Sequence, residues 1–264
     1  MISRRDFLRR AAAAGLTVAL PRPGAASPST RPVSRVLFVY GGWPGHQPEA
    51  FRDRLLPWFE EAGFEVAVSD SLDAYLDRDL MAAVDVVVQL WTMGTITREQ
   101  AAGLLEAVKS GTGLAGWHGG LCDAFREHTE YQYMTGGQWV AHPGGKIDYD
   151  VHIVDPDDPI TAGLSDFRMT GTEQYYMHVD PANRVLATTT FSGEHDPWID
   201  GAVMPVVWKK RYGRGRVFYS SIGHQPEDFD VPEVWTLTTR GILWASRSKQ
   251  AAPEHLVQSV YPGR

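Results

Sequence analysis

Four short, almost uninterrupted apolar runs alternate with helix-patterned stretches in the first half of this 264-residue chain, and that alternation narrows the possible folds more than any other feature. Residues 36–40 are β-branched and aromatic and stop at Gly41-Gly42, and residues 64–68, 84–90 and 113–118 form three further runs. Between them, residues 48–62 set Phe51, Leu55, Trp58, Phe59 and Ala62 at helical spacing ahead of Gly63. Residues 97–110 are amphipathic, with Thr97 placed to cap and Glu99 and Gln100 in the first turn. A run as continuously apolar as 84–90 belongs to a strand covered on both faces, and strands alternating with helices build a parallel sheet. The expected fold class is α/β, a mainly parallel sheet with helices on both faces. The second half reads differently. Residues 147–154, 184–191, 205–210 and 216–220 are strand-like without full helices between them, Tyr212-Gly213-Arg214-Gly215 is a hairpin turn, and a helix over 233–246 closes the domain.

The N-terminus carries Arg4-Arg5, a weakly apolar run over 11–20 and the small-x-small triplet Gly24-Ala25-Ala26. That is the pattern of a twin-arginine export signal, and its apolar run is shorter than the roughly 20 residues of a membrane span. The expected organisation is a signal and linker over 1–32, one domain over 33–248 and a C-terminal tail over 249–264. The expected location is periplasmic or secreted, with the twin-arginine translocase as a partner in transit and no membrane span in the mature chain. Setting residues 1–26, with their five Arg and one Asp, apart from the chain's 25 basic and 32 acidic residues leaves a net charge of −11. Such a surface disfavours nucleic acid and anionic membranes. The single cysteine, Cys122, excludes an intrachain disulfide, and a homo-oligomer is compatible with the sequence.

Ligands of open parallel sheets bind beyond the carboxyl ends of the strands. Those ends deliver Gly42, Trp43 and His46 from the first run, Trp91 from the third, His118, Gly119 and Gly120 from the fourth, and His224 from the run ending near Ser220. Gly116-Trp117-His118-Gly119-Gly120 has the form of the G-x-S-x-G nucleophile elbow with histidine at its centre. Imidazole at that place suits proton transfer or metal ligation better than acyl transfer. Cys122 lies four residues beyond the elbow centre, away from its tip. Glu173, flanked by Tyr175 and Tyr176, is a candidate general base whose burial would raise its pKa, and His142 sits in a second polar turn beside Trp139. His118, Glu173 and His224 are thus the catalytic candidates. Gly42, Trp43, Trp91, Gly119, Gly120 and Tyr175 are the substrate-contact candidates, and His46, His118, His142 and His224 the metal-ligand candidates. A divalent metal, zinc or similar, is the candidate cofactor. Gly111-Thr112-Gly113-Leu114-Ala115-Gly116 matches G-x-G-x-x-G, but it leaves a helix and enters a strand, the reverse of the dinucleotide fingerprint, so no nucleotide cofactor is expected.

The ordered set Gly41-Gly42 with His46, the His118 elbow, Trp139 to His142-Pro143, Thr172-Glu173-Gln174-Tyr175-Tyr176, Gly213-Arg214-Gly215, Gly223-His224 and Gly241-Ile242-Leu243-Trp244 resembles the ThuA-like (trehalose utilisation) family over residues 36–246. The resemblance implies a flavodoxin-like sheet related to class I glutamine amidotransferases. In those enzymes the elbow carries cysteine, so His118 makes glutamine hydrolysis unexpected. Asp158-Pro159-Ile160-Thr161 departs from the His-Pro-Ile-Thr common in the family, which removes one histidine. The resemblance also implies a small carbohydrate as the substrate class. It points to an exported protein acting on a sugar or keto-glycoside by proton transfer, with a non-catalytic sugar-binding protein or a metal-dependent hydrolase as alternatives.

Overall fold

The structure, a computed structural model, describes residues 34–258; the twin-arginine pattern lies outside the described residues. In chain order the elements are β1 (Arg35–Gly42), α1 (Pro48–Glu61), β2 (Glu65–Ser69), α2 (Arg78–Ala83), β3 (Val86–Thr92), α3 (Arg98–Ser110), β4 (Gly113–Trp117) and the single turn α4 (Gly119–Cys122). They continue with α5 (Thr129–Thr135), β5 (Gly137–Ala141), β6 (Lys146–Ile153), β7 (Phe167–Glu173), β8 (Tyr176–Val179), β9 (Arg184–Thr190), β10 (Val203–Tyr212), β11 (Gly215–Ser220) and α6 (Pro232–Ser246).

Among the described residues, nine strands form one sheet in the order β2-β1-β3-β4-β11-β10-β9-β6-β7, and β5 and β8 form a separate ribbon. The first five strands are parallel throughout, and their order is the flavodoxin-like one, with a topological switch between β1 and β3. The remainder is antiparallel. Alternate residues of one strand feed opposite cores. Val36 and Phe38 pack with Phe51, Leu55 and Phe59 of α1 and with Val234, Leu237 and Ile242 of α6. Leu37 and Val39 face the other way, onto a core with Leu80 of α2 and Leu104 and Val108 of α3. This two-sided burial is why the strands read as unbroken apolar runs.

The local signals act as their chemistry requires. Thr97 and Gln100 close a reciprocal capping box at the start of α3. Gly111 ends that helix with φ 122°, so the G-x-G-x-x-G stretch is a helix cap followed by a strand. Tyr212 pairs with Gly215 across the hairpin between β10 and β11. β5, β7 and β8 go beyond the sequence expectation. The segment around Trp139 is strand before it is turn, and it pairs with β8 through a register irregularity between Trp139 and Ala141. These strands are four to seven residues long and mix buried, half-buried and exposed positions irregularly, so neither a continuous apolar run nor a clean alternation marks them. No helix of the described residues is long and apolar enough to cross a membrane.

Candidate functional site

The carboxyl end of the parallel sheet gathers residues from four separate stretches of chain. After β1 the chain turns at Gly42, whose φ of 77° and approach to the Thr92 backbone leave no room for a side chain. A short turn, Pro44–His46, then brings His46 inward, where its Nδ1 lies 2.9 Å from Thr92 Oγ1 at the end of β3. β4 ends at the elbow. His118 takes φ 49°, a conformation that costs a non-glycine residue about 1–3 kcal/mol unless the surroundings enforce it. They do: its N–H donates to Ser220 O at 2.7 Å, and its Nδ1 donates to Ser221 O at 2.8 Å. Gly119 follows because a Cβ there would stand 2.6 Å from the His46 ring. Gly120 packs onto Leu90, which seats α4 on β3.

His224 arrives from the loop after β11, and Glu173 from the last residue of β7. His118 Nε2 is 3.1 Å from Glu173 Oε2, and His224 Nδ1 lies 3.3 Å from the same oxygen without the alignment of a hydrogen bond. The His46 and His118 rings are 4.6 Å apart, those of His46 and His224 5.2 Å. One donor atom from each of His46, His118, Glu173 and His224 lies within 4.8 Å of the others, and all four residues are buried.

Tyr175 stacks on His118 at 3.9 Å, and Trp43, half-exposed, meets His46 edge-on at 4.8 Å. Trp91 is half-buried, with its ring over Gly41. His142 stands outside the four-donor cluster: 37% of its side chain is exposed and its Nε2 is 3.7 Å from Glu173 Oε1. Asp158 pairs with Lys209 under Trp244 of α6, so position 158 faces that helix. Cys122 is buried, and burial pushes its thiol far above the ordinary range, which makes it inert.

The electrostatics correct one expectation. Burial alone would raise the Glu173 pKa, but contact with His118 and His224 outweighs it, so the carboxyl is held well below the usual range and is an anion. Burial lowers His46 to about 3, aided by His118 and His224. Burial also lowers His118, against the opposing pull of Glu173.

The tautomer of His118 then becomes decisive. Ser221 O can only accept, so Nδ1 carries the proton and a neutral ring presents a lone pair at Nε2. That lone pair faces a carboxylate oxygen, which is also only an acceptor. Two acceptors in contact call for a cation between or beside them, and burial disfavours imidazolium. Three imidazoles and one carboxylate form a zinc-type donor set, and a backbone carbonyl on the far ring nitrogen is the usual outer partner of a metal-bound histidine. A tetrahedron with bonds of about 2.1 Å has ligand atoms about 3.4 Å apart, so the four donors, within 4.8 Å of one another, would have to draw closer to hold such an ion.

The same shifts give a pH prediction for the metal-free protein. His46 and His118 have folded pKa values below the unfolded 6.5, so the unfolded chain binds their protons first as the pH falls. Stability is full above about 6.5 and declines below it, by up to about 1.4 kcal/mol per pH unit for each histidine. Urea denaturation at pH 7.5 and pH 5 checks this; equal stability at the two values would contradict it.

Sequence reasoning missed Thr92, the Ser221 carbonyl and Asp228. Thr92 had a signal, a polar residue closing an apolar run. Asp228 had another, since Gln225-Pro226-Glu227-Asp228 fits a cap followed by proline and an acidic third residue, and the structure shows that capping box. A carbonyl acceptor leaves no trace in side-chain identity.

A flavodoxin-ordered sheet whose central strand ends in a strained, glycine-flanked elbow defines the class I glutamine amidotransferase-like architecture, here with histidine at the elbow. Residues 35–245 match the family described as trehalose utilisation, ThuA, and the chain belongs to that family. Among solved structures it is similar to a ThuA-like protein of Bacteroides uniformis (TM-score 0.67, 16% identity, 86% of this chain and 95% of that one). It is similar also to one of Parabacteroides merdae (0.67, 18%, 86% and 96%). A β-galactosidase of Bacillus circulans shares the fold over 31% of its own length and 82% of this chain (0.51, 14%). Curated proteins offer no significant sequence match.

Proposed function

We propose that this chain is an exported enzyme of carbohydrate metabolism that holds a divalent cation, zinc or similar, with His46, His118, His224 and Glu173, and transfers a proton beside the carbonyl of a keto-sugar. The observation that carries the reading is the acceptor-to-acceptor contact of His118 Nε2 and Glu173 Oε2, with His118 Nδ1 already committed to Ser221. Family membership supports a sugar as the substrate, and the N-terminal twin-arginine pattern supports export.

A bound divalent cation supplies a Lewis acid that polarises a carbonyl and so acidifies the neighbouring C–H. His46 and His118, neutral at physiological pH, keep lone pairs available. Glu173 would hold the cation through Oε2, leaving Oε1 to take the proton and pass it to His142, whose half-exposed ring faces Oε1 and connects the cluster to solvent. Tyr175, stacked on His118, closes one side against water, and Trp43 offers a half-exposed apolar face for a sugar ring.

The test is solvent deuterium exchange. A keto-glucoside is incubated in D₂O with zinc-loaded protein and followed by NMR. Deuterium entering at the carbon beside the carbonyl, and absent with folded His118→Ala, is the expected result. Glycoside cleavage would establish the hydrolase instead, and calorimetric sugar binding without exchange would establish a binding protein.

A further inference from the structure

Glu173 and His224 meet although nothing in the main sheet sets their separation. β7, which carries Glu173, is the edge strand paired with β6, whereas β11, which leads to His224, lies between β4 and β10. Three strands stand between β7 and β11 in the sheet order. Backbone pairing fixes each strand against its neighbours and leaves the gap across the cluster open.

One buried carboxylate spans that gap. Asp228 Oδ2 accepts from Thr172 Oγ1 at 2.8 Å, from His224 N–H at 2.9 Å and from Gln225 N–H at 3.4 Å. Thr172 is the residue before Glu173, and Asp228 is four residues beyond His224. Both Asp228 and Thr172 are almost wholly buried. A charged acceptor shared by three donors is among the stronger tethers a protein makes, and it acts here on both ligand-bearing segments at once. Tyr149 steadies the same corner by donating to Glu173 O at 3.2 Å.

We infer that Asp228 is a positioning residue: through Thr172 and the His224 backbone it sets the spacing of the Glu173 and His224 donors, and thereby the affinity of the site for its cation. The inference rests on the metal reading given under the proposed function. Asp228 touches no cation itself, so it acts only by geometry. Asp228→Asn keeps the volume and one acceptor but removes the charge and the capacity to hold both sides. Thr172→Val removes the donor from the other end of the tether, and Thr172→Ser restores it.

The experiment is zinc affinity by chelator competition on folded protein, with the melting temperature of the metal-free form recorded alongside. Asp228→Asn and Thr172→Val are each expected to weaken zinc binding about 10- to 100-fold, the usual effect of losing an outer partner of a metal ligand. The double variant is expected to be no worse than the weaker single one, because both remove the same link. Thr172→Ser is expected to bind like the parent. Parent-like affinity in Thr172→Val, whatever Asp228→Asn does to folding, would reduce Asp228 to a turn cap and overturn the inference. Absence of zinc, manganese or nickel binding by the parent protein would instead remove the metal reading, and the inference with it.

Discussion

Exchanging Glu173 for Gln is expected to cost the protein its cation and its turnover while leaving the metal-free fold as stable as before, or more so. The two effects have opposite signs because one contact causes both. Glu173 is the one carboxylate among the four donors, and a neutral amide is a far weaker ligand than an anion. The loss should exceed the 10- to 100-fold seen on removing an outer partner, so an effect of at least about 100-fold in zinc affinity is expected. In the metal-free protein, however, the carboxylate sets two acceptors 3.1 Å apart at His118. The Gln side chain brings an N–H₂ group that can donate to His118 Nε2, which converts that clash into a hydrogen bond worth about 1 kcal/mol. Chelator competition reads the first effect and urea denaturation of the stripped protein the second. Metal content unchanged in Glu173→Gln would refute the four-donor site.

Trp117→Ala is expected to be the costliest single truncation near the site, at about 3–5 kcal/mol. Trp117 is fully buried, with ring centroids 5.4 Å from Phe51, 5.3 Å from Phe229 and 6.4 Å from Phe38. Gly223 lies directly against its indole, close enough that a Cβ there would stand 2.5 Å from the ring. The side chain therefore supports the elbow from the residue before His118 and the His224 loop from below. Its Nε1–H has no hydrogen-bond partner, so Trp117→Phe forfeits packing but leaves no acceptor orphaned, and a loss nearer 1–2 kcal/mol is expected. Denaturant titration of both variants checks the pair; equal losses would mean that packing volume is not what Trp117 provides.

The parallel half of the fold was legible because its physics is local and two-sided. Runs such as 84–90 must be buried on both faces, the helices between them carry amphipathic spacing, and Thr97 and Gly111 mark the bounds of α3. The elbow at His118 was legible for the same reason: glycines on both sides of one polar residue after an apolar strand admit few conformations. Glu173 was legible as a candidate but not in its charge state. The sequence shows the neighbouring tyrosines and suggests desolvation; the fold supplies two histidines, which reverse the sign of the shift.

By itself, the sequence determined the α/β class, the alternation of the first four strands with helices, the polar turns at the strands' carboxyl ends and the resemblance to the ThuA family. These rest on interactions among residues close in the chain or on patterns that a strand or helix imposes on its own side chains. Only the tertiary structure decided that β7, at the far edge of the sheet, brings Glu173 back to His118 and His224, while His142 stays outside the four-donor cluster. It also decided which ring nitrogen of His118 keeps its proton, through the Ser221 carbonyl 103 residues away. Contacts over such separations depend on the curl of the whole sheet and on buried tethers such as Asp228, and no local pattern of residue types encodes them.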